Sequence, residues 1–600
     1  MMLSDVFLIF FILVNSFALR LGEWAIPGEP LLFIIILAIP IAIPIFYGFG
    51  LYWTVVRHIG LKALWTSSLA ITFYSMVWGI LVLMLQLDFF PRSVIIINWL
   101  LSIMVIGGSR ILVRWLFSYE SNQKIKKNVI IYGAGEAGRG LAEAIKFSKD
   151  YQHIAFIDDD PKVHGTYINN VPIFPDKKIS SLVNNQNIQE ILIALPSISR
   201  KKRKNIIEKL SKFSIRVRVL PSVSDLTKGR VTINDLFEID IVDLLGRNSV
   251  SPNKQLLSIK ISNKVVLVTG AGGSIGSEIC RQIVSLKPKK LILFEISEAS
   301  LYQIEQELIF VNKFNIEIYP VIGSVSDKNR LQSILNLHKV QTIYHAAAYK
   351  HVPLVESNKS QGVLNNALGT MFAVEAAIAE KVETFVLIST DKAVRPTSTM
   401  GASKRVAELV LQALSKESNI TCLTMVRFGN VLDSSGSVIP LFKKQIKQGG
   451  PITITDIQME RFFMTIPEAV ELVIQAGAMG KGGDVFVLDM GKPVKIYDLA
   501  IKMIKLSGLQ LVDENNPEGD IEIKYTGLRP GEKLYEELLV GDTSIETENK
   551  LIMRATEEMI EWRNLKPLLD ELNMVCKDNN ADKILQTLLK IVPEFNPKPH

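Results

Sequence analysis

The sequence contains little of the chemistry that builds disulfide frameworks or metal centres. Only three cysteines occur among 600 residues, Cys280, Cys422 and Cys576, and they lie far apart without the spacing of a metal site. The seven histidines are scattered as well and form no zinc-binding pattern. The composition therefore predicts a chain that folds in a reducing compartment, has no disulfide framework and binds no metal.

A concentrated charge of one sign is also missing. The formal net charge of +7 is modest and is spread along the chain. No basic stripe with interleaved aromatic residues occurs, so a nucleic-acid partner is not expected. The chain of 600 residues is nevertheless too long for a single hydrophobic core, and several domains are expected.

Long apolar runs, by contrast, fill the N-terminal region. Hydrophobic residues make up 48% of the chain and the mean hydropathy is +0.25, with the excess in residues 3–19, 31–56, 63–87 and 94–109. Runs of about 17–25 apolar residues can cross a bilayer. Four such runs in succession, with no amphipathic helices between them, favour about four transmembrane helices over buried core helices. The first run lacks the basic start of a signal peptide.

Lysine and arginine residues near the ends of these runs predict the topology. Basic residues follow the second run and the fourth run: Arg57, His58, Lys62, Arg110, Arg114, Lys124, Lys126 and Lys127. Because cytoplasmic segments carry the excess of such residues, the N-terminus and everything after residue 118 are expected in the cytoplasm. Arg20 and Arg92 fall on the opposite side in this arrangement.

The first soluble domain begins with a strand, a glycine turn and the start of a helix, over residues 128–138. The turn has the G-x-G-x-x-G pattern, which lets backbone amides approach a phosphate. An acid ends the next predicted strand, where a ribose ligand is needed. The residues of this candidate second nucleotide site are Gly133, Gly135, Gly138 and Asp158. A small Rossmann domain without any ligand is an equal alternative, and catalysis is not expected here.

A second glycine turn, in residues 270–276, follows the apolar strand predicted at residues 265–269. Its T-G-x-x-G-x-x-G spacing resembles that of the short-chain dehydrogenase superfamily in its extended form. Glu295 ends the next strand, where a carboxylate binds a ribose 2′-hydroxyl and repels a 2′-phosphate, so NAD is favoured over NADP. The residues that the resemblance assigns to the cofactor are Gly270, Gly273, Ser274, Ile275, Gly276, Glu295, Ser326, Asp327, Ala346, Ala347, Ala348 and Lys404.

The candidate chemistry follows an apolar strand predicted at residues 385–388. Thr390, Asp391 and Lys392 come directly after it, and the carboxyl end of a parallel strand faces the ligand crevice. Met400 and Lys404 lie further on at an i,i+4 spacing, on one face of a helix. The superfamily has a catalytic tyrosine where this chain has Met400, and a thioether cannot ionise.

These segments, with residues 427–432, 436–440, 461–464 and 528–533, resemble one branch of that superfamily. The branch is the membrane-bound 4,6-dehydratases of bacterial polysaccharide and glycan biosynthesis, which act on UDP-N-acetylglucosamine, and the resemblance covers nearly the whole chain. It implies a multi-pass protein of the bacterial inner membrane that forms a homodimer or higher homo-oligomer. The implied organisation is a transmembrane region (1–117), a first Rossmann-like domain (118–247), a catalytic α/β domain (248–545) and a helical extension (546–600).

The resemblance also implies a reaction and roles. Hydride leaves C4 of the hexose and returns to C6, while water is eliminated across C5 and C6, with C5 retention. Lys392 is expected to be the base at C5, Asp391 the acid for the C6 hydroxyl and Thr390 a partner of the C4 hydroxyl. Residues expected to bind the sugar nucleotide are Lys350, His351, Asn430, Arg461, Arg529 and Glu532.

Three alternatives stay open at the level of the sequence. A C5-inverting dehydratase shares the fold, and the sequence does not specify C5 stereochemistry directly. A C4-epimerase also shares it, although the missing tyrosine argues against the strong base that an epimerase needs at C4. An inactive membrane scaffold belongs to a different class, and the intact Glu295, Asp391 and Lys392 argue against it.

Overall fold

The computed structural model describes residues 2–22, 24, 28, 31–52, 61–85, 90–112, 126–146, 148, 150–220, 237–239, 243, 252–538 and 544–597. The chain forms two compact units. One comprises Met1–Lys127 and Ser148–Tyr151, and the other Asn128–Phe147 and Gln152–His600. Several topology signals, including Arg57, His58, Arg114 and Lys124, lie outside the described residues, as do the predicted domain boundaries near 117 and 247.

The first unit is built from apolar helices. They are α1 (Met2–Leu21), α2 (Leu31–Gly48), α3 (Leu61–Met84) and α4 (Ser93–Ser102), and the last continues through a π-helical turn, Ile103–Gly107, to Leu112. Each is long and apolar enough to cross a membrane. A buried ion pair joins Asp5 to Arg110 over 2.9 Å, so the start of α1 lies beside the end of the fourth helix. Both ends of the bundle are therefore on the same side.

The second unit contains two separate parallel sheets. The first has seven strands: β1 (Lys127–Tyr132), β2 (Tyr151–Ile157), β3 (Tyr167–Ile168), β4 (Val171–Phe174), β5 (Ile188–Ile193), β6 (Arg216–Val219) and β7 (Phe237–Glu238). Their order is β3-β4-β2-β1-β5-β6-β7, with antiparallel strands only at the two edges. Its helices are α5 (Glu136–Lys146), α6 (Ile179–Asn185) and α7 (Arg200–Leu210). The predicted Rossmann-type sheet is thus confirmed.

The second sheet has nine strands. They are β8 (Val265–Thr269), β9 (Lys290–Glu295), β10 (Glu317–Ile322), β11 (Thr342–His345), β12 (Thr384–Ile388), β13 (Cys422–Arg427), β18 (Asp484–Leu488), β21 (Ser544–Glu546) and β22 (Ile552–Ala555). Three short pairs complete the domain: β14 (Asn430–Val431) with β17 (Phe463–Met464), β15 (Ile452–Ile454) with β20 (Ile523–Tyr525), and β16 (Glu460–Arg461) with β19 (Val494–Lys495).

The order of this sheet, β10-β9-β8-β11-β12-β13-β18-β22-β21, defines a doubly wound fold. The chain runs outward from β8 to β10 and then returns to the other side of β8 with β11. A ligand crevice forms where the order reverses, outside the carboxyl ends of β8 and β11. Every residue of β8 and of β12 is buried, which explains their unbroken apolar sequences. The extended short-chain dehydrogenase fold is confirmed.

Helices surround and connect these strands, and most of them cover the two faces of the sheet. They are α8 (Lys254–Ser258), α9 (Ser274–Ser285), α10 (Glu298–Val311), α11 (Lys328–His338), α12 (Val352–Ser357), α13 (Lys359–Val363), α14 (Gly369–Ala379), α15 (Thr399–Glu417), α16 (Val438–Lys447), α17 (Ile466–Met479), α18 (Ile496–Leu506), α19 (Trp562–Lys577) and α20 (Ala581–Ile591). A π-helical turn, Leu364–Leu368, joins α13 to α14. Although Lys359–Ala379 is apolar enough to span a membrane, it connects β11 to β12 and packs in the domain core.

Candidate active site at the carboxyl edge of the second sheet

The glycine turn after β8 fits a dinucleotide because its backbone leaves no room for side chains. Gly270 has a φ of +64°, and a Cβ there would lie 2.7 Å from the Cα of Ala347. A Cβ on Gly276 would lie 2.0 Å from the carbonyl oxygen of Gly270. The first turn of α9 therefore sits directly against the turn, with the amides of Ser274 and Ile275 at the helix start, where a diphosphate binds favourably.

Glu295, at the end of β9, is held next to this turn. Its carboxylate accepts hydrogen bonds from the amides of Gly272 (2.9 Å), Ile296 (2.9 Å) and Ser297 (3.0 Å). An ionised carboxylate has about four acceptor positions, so one position is left for a ribose hydroxyl. The residues present fit the adenosine half of a nicotinamide dinucleotide.

Ser326 and Asp327, the predicted adenine partners, are exposed after β10. The Asp327 side chain caps α11 by accepting from the amide of Arg330 at 3.0 Å, and the Ser326 hydroxyl donates to the carbonyl of Leu364 at 3.4 Å. Both side chains therefore have hydrogen-bond partners within the protein, and their contact with adenine stays a prediction.

The loop after β11 lies on the other side of the glycine turn. The amide of Ala347 donates to the Thr269 hydroxyl at 3.3 Å. Asn366, in the π-helical turn, accepts from the amide of Tyr349 at 2.8 Å and donates to its carbonyl at 2.9 Å. Ala346, Ala347 and Ala348 are thus fixed with their small side chains beside the crevice. Lys350 and His351 follow and are exposed.

Thr390, Asp391 and Lys392 form a hydrogen-bonded cluster just past β12. One oxygen of Asp391, Oδ1, accepts from the Thr390 hydroxyl at 2.9 Å and from the Lys392 ammonium at 2.9 Å. The Lys392 ammonium also donates to the amide oxygen of Asn430 at 3.1 Å. Asn430, predicted as a substrate ligand, is therefore in direct contact with the predicted base.

The second oxygen of Asp391, Oδ2, is buried without a hydrogen-bond partner among the described residues. The residue as a whole is fully buried. A Cβ on Gly429 would lie 3.2 Å from this oxygen and 3.3 Å from the Met490 methyl group. Glycine at position 429 thus leaves the space into which the free carboxylate oxygen faces.

Helix α15 packs tightly onto this cluster. A Cβ on Gly401 would lie 2.3 Å from the carbonyl oxygen of Lys392, so the first turn of the helix touches the Asp391–Ala393 turn. Met400 is 3% exposed in this first turn. The Lys404 ammonium donates to the carbonyl of Ile388, the last residue of β12, at 2.6 Å. The predicted helical pair is therefore brought to the end of the same strand as Thr390.

The pKa values of the two lysines of the site, Lys392 and Lys404, are shifted in opposite directions. Burial lowers the pKa of Lys404 to about 8, and the Glu408 carboxylate only partly offsets that effect. Burial also acts to lower the pKa of Lys392, but the carboxylates of Asp391 and Glu536 outweigh it, so the pKa is raised. Lys392 is consequently an ammonium at neutral pH, whereas Lys404 titrates near it.

Arg461, predicted to neutralise a diphosphate, has several protein partners. Its guanidinium donates to the carbonyls of Glu460 (2.8 Å), Lys533 (2.6 Å) and Leu534 (2.9 Å). Glu532 lies 3.7 Å from it and also accepts from the amide of Arg529. Arg461 thus anchors the segment that follows the R-P-G-E-K motif, Arg529 is exposed at the start of that motif, and their contact with the substrate stays a prediction.

Two acidic residues of the site were missed from the sequence. Glu536 lies 3.5 Å from the Lys392 ammonium, and Glu408 accepts from the hydroxyl of Ser389 at 2.6 Å and from the buried Arg427 guanidinium. Glu408 was detectable, because it follows Lys404 by four residues on the same helical face. Glu536 had only its proximity to the R-P-G-E-K motif as a signal.

The first sheet carries a similar glycine turn. A Cβ on Gly138 would lie 1.9 Å from the carbonyl oxygen of Gly133, whose φ is +110°. The Asp158 carboxylate accepts from the amide of Ala134 at 2.7 Å, much as Glu295 does from Gly272. The backbone of Gly133, Gly135 and Gly138 is therefore compatible with a phosphate, and a ligand at this turn stays a prediction.

Two regions of the chain match known protein families. Residues 266–557 match the family described as polysaccharide biosynthesis protein, and residues 50–221 match the family described as CoA-binding domain. The chain is 43% identical over 508 residues to the capsular polysaccharide biosynthesis protein CapD of Staphylococcus aureus, which covers 82% of each chain. It is 41% identical over 500 residues to the probable polysaccharide biosynthesis protein EpsC of Bacillus subtilis, covering 82% of this chain and 81% of that protein.

The chain is also similar, over a shorter length, to a UDP-glucose 4-epimerase. The UDP-glucose 4-epimerase of Rickettsia rickettsii is 34% identical over 287 residues, which are 47% of this chain and 79% of that protein. This alignment covers less than half of the chain, whereas the similarity to CapD and EpsC extends over most of it. By its sequence over most of its length, the chain belongs to the family described as polysaccharide biosynthesis protein, and it has an extended short-chain dehydrogenase fold.

Proposed function

We propose that this protein catalyses the NAD-dependent 4,6-dehydration of UDP-N-acetylglucosamine to a 2-acetamido-2,6-dideoxy-4-keto hexose, with retention at C5. The observation that carries the proposal is the cluster of Thr390, Asp391 and Lys392, in which two hydrogen bonds of 2.9 Å meet on one carboxylate oxygen. Met400 occupies the helical position of the usual tyrosine, so these three side chains are left to move the protons.

NAD, when bound, supplies a hydride acceptor for C4 and the donor that returns the same hydride to C6. Glu295 supports NAD over NADP, since its carboxylate would repel a 2′-phosphate. Lys404, hydrogen-bonded to the last residue of β12, would orient the nicotinamide ribose. The glycine turn and the start of α9 would bind the diphosphate of the cofactor.

The proton path balances within the cluster. Thr390 already donates to Asp391, so the proton of the C4 hydroxyl can pass through the Thr390 hydroxyl to that carboxylate. Protonated Asp391 then delivers this proton to the C6 hydroxyl, which leaves as water. Neutral Lys392 takes the C5 proton and returns it to the same face of C5, which gives retention. Lys392 first has to lose a proton to solvent, because the free protein holds it as the ammonium. From then on, Asp391 and Lys392 end each turnover in the protonation states in which they began it.

A C4-epimerase is the second candidate, because a UDP-glucose 4-epimerase aligns with 47% of this chain at 34% identity. Incubation of the purified chain with UDP-N-acetylglucosamine, followed by proton NMR, separates the possibilities. A 4-keto-6-deoxy sugar with a new C6 methyl signal supports dehydration, whereas UDP-N-acetylgalactosamine identifies an epimerase. An unchanged substrate in the presence of bound NAD would contradict both activities and favour an inactive scaffold.

We further propose that the chain is a multi-pass protein of the bacterial inner membrane with both Rossmann units in the cytoplasm. The pairing of Asp5 with Arg110 supports an even number of spans, because it puts the two ends of the bundle together. Protease digestion of sealed inverted membrane vesicles should release the catalytic domain, and protection of that domain would contradict this orientation. A homodimer or higher homo-oligomer remains part of the proposal and is tested by the mass of the detergent-solubilised protein.

A further inference from the structure

Glu536 is a buried carboxylate that the reaction proposed above does not use. It lies in the chain segment after the R-P-G-E-K motif, and its side chain is 3% exposed. One oxygen, Oε1, is 3.5 Å from the Lys392 ammonium and 3.7 Å from Nε of Arg461. The other oxygen, Oε2, is buried and has no hydrogen-bond partner among the described residues. A buried carboxylate in this state is costly unless nearby cations stabilise it.

The segment that carries Glu536 is firmly attached to the catalytic cluster. Arg461 binds its backbone through the carbonyls of Lys533 and Leu534. The Lys533 ammonium donates to the carbonyl of Val394 at 3.0 Å, and the Thr397 hydroxyl donates to the carbonyl of Gly531 at 2.9 Å. The segment that carries Glu536 is therefore attached both to Arg461 and to the loop that follows Lys392.

The charged groups that face Lys392 are few. Asp391 and Glu536 are the two carboxylates, Arg461 is the opposing cation, and Asn430 adds a neutral amide oxygen. Because Asp391 is needed as a proton carrier, its charge changes during the proposed reaction. Glu536 takes no part in that proton transfer.

We propose that Glu536 is a positioning residue that acts through Lys392, holding its amine beside Asp391 and determining the pH at which that amine becomes neutral. The role rests on the proposed function only in that Lys392 is the base; the electrostatic coupling itself is a property of the free protein. An opposite charge within about 4–6 Å shifts a pKa by one unit or more, and the pKa of Lys392 is raised.

The first test measures the Lys392 amine without any substrate. The full-length protein is labelled with trace acetic anhydride at pH 9, and the labelling of Lys392 is compared with that of the exposed Lys416 by peptide mass spectrometry. Glu536→Gln should increase the relative labelling of Lys392 about tenfold, because one pKa unit changes the neutral fraction tenfold. Glu537→Gln is the matched control, since Glu537 is adjacent in sequence but pairs with Arg395 at 3.6 Å.

A second variant covers the case in which Glu536→Gln does not fold. Glu536→Asp keeps the charge but withdraws it by one methylene, so a smaller increase in the same direction is expected. Unchanged labelling of Lys392 in either folded variant, or an equal increase in Glu537→Gln, overturns the proposal.

The second test connects Glu536 to the reaction. The acidic limb of the pH profile for kcat, which reports neutral Lys392, should move to lower pH by about one unit in Glu536→Gln. A loss of kcat with an unmoved limb would indicate a merely structural role and overturn the assignment. If the wild-type protein forms no product, the proposed function fails, while the labelling result still decides whether Glu536 controls Lys392.

Discussion

At the scale of single residues, the crevice differs from a tyrosine-dependent one at Met400. This side chain is 3% exposed in the first turn of α15 and cannot carry a proton. Under the proposed function, proton transfer is therefore concentrated on Asp391 and Lys392, whose side chains are in contact over 2.9 Å. The raised pKa of Lys392 means that the free protein holds the ammonium, and the amine has to become neutral before it can act at C5.

Replacement of Lys392 tests its role as the base. Lys392→Ala should abolish the incorporation of solvent deuterium at C5, because no other amine contacts Asp391 Oδ1 among the described residues. Binding of NAD should be retained, since the glycine turn and Glu295 are unaffected. Mass spectrometry of the sugar after incubation in deuterium oxide measures the exchange, and normal incorporation would remove Lys392 as the base.

Met400→Leu should be tolerated, with kcat within about twofold of the wild-type value. The two side chains have similar volumes, and such exchanges in a core usually cost less than about 1.5 kcal/mol. The measurement is the rate of 4-keto sugar formation together with thermal unfolding. A large loss of rate in a normally folded variant would show that the thioether does more than fill space.

Lys404 should make cofactor binding pH-dependent. Since burial lowers the pKa of Lys404 to about 8, the side chain is charged below that pH and becomes neutral as the pH rises through it. A charge-assisted hydrogen bond to the ribose is then replaced by a neutral one, and NAD affinity should fall about five- to tenfold between pH 7 and pH 9. Titration calorimetry measures this change. Lys404→Met should bind more weakly and show no such pH dependence.

At the scale of elements, the position of α15 depends on the absence of a side chain at Gly401, which lies against the backbone of Lys392. A Cβ on Gly401 would lie 2.3 Å from the carbonyl oxygen of Lys392. The same helix is covered on its outer side by α19 and α20, so it is buried over nearly its whole length. The carboxyl end of β12 and the start of α15 therefore form one rigid corner that holds both lysines.

Gly401→Ala should move the start of α15 away from the carboxyl end of β12. The extra methyl group overlaps backbone, so an overpacking cost of about 1–3 kcal/mol is expected together with a loss of kcat of at least tenfold. Lys416→Ala, at the exposed end of α15, serves as the control and should leave both quantities nearly unchanged. An unaltered kcat in Gly401→Ala would mean that this close approach is not required for catalysis.

The C-terminal helices should contribute stability and not chemistry. Leu588 is fully buried in α20, whereas its neighbour Leu589 is 39% exposed. Leu588→Ala should lower the stability of the catalytic domain by about 2–5 kcal/mol, and Leu589→Ala by much less. Chemical denaturation followed by tryptophan fluorescence compares the two variants. Equal effects would contradict the packing of α20 against the core.

At the scale of the whole molecule, the chain combines a membrane unit with two Rossmann-type sheets. Each sheet has its own glycine turn, and just beyond a strand end of the second sheet a hydroxyl, a carboxylate and a lysine are joined by hydrogen bonds. Under the proposed function, the second sheet performs the chemistry, and the first sheet either binds a nucleotide or is purely structural.

Binding stoichiometry separates these two alternatives. If the first turn is functional, the purified full-length chain should bind NAD at the second sheet and a further ligand, such as coenzyme A or a nucleotide sugar, at the first. Gly138→Ala should abolish only the binding of the ligand at the first sheet, and Gly276→Ala only the binding of NAD. The added Cβ would lie 1.9 Å from a carbonyl oxygen at position 138 and 2.0 Å at position 276, so each turn would have to change shape. Failure to bind any dinucleotide, coenzyme A or nucleotide sugar at the first turn would leave it structural.

The local features of this protein were determined by its sequence alone. The strands β8 and β12, the two glycine turns, the apolar helices and the placement of Thr390, Asp391 and Lys392 at a strand end all depend on neighbouring residues. Periodicity and turn chemistry report such features directly. The identity of Met400 as a non-ionisable residue also needs no coordinates.

The environment of the catalytic groups was decided only by the tertiary structure. Glu536 is far from Lys392 in the sequence, yet the fold brings its carboxylate to within 3.5 Å of that ammonium. Arg461 is engaged by the carbonyls of residues 533 and 534, which no local pattern indicates. Charge interactions depend on distance and burial in space, not on separation along the chain. The sequence therefore supplied the reactive groups, and the packing of distant segments determined their charge states.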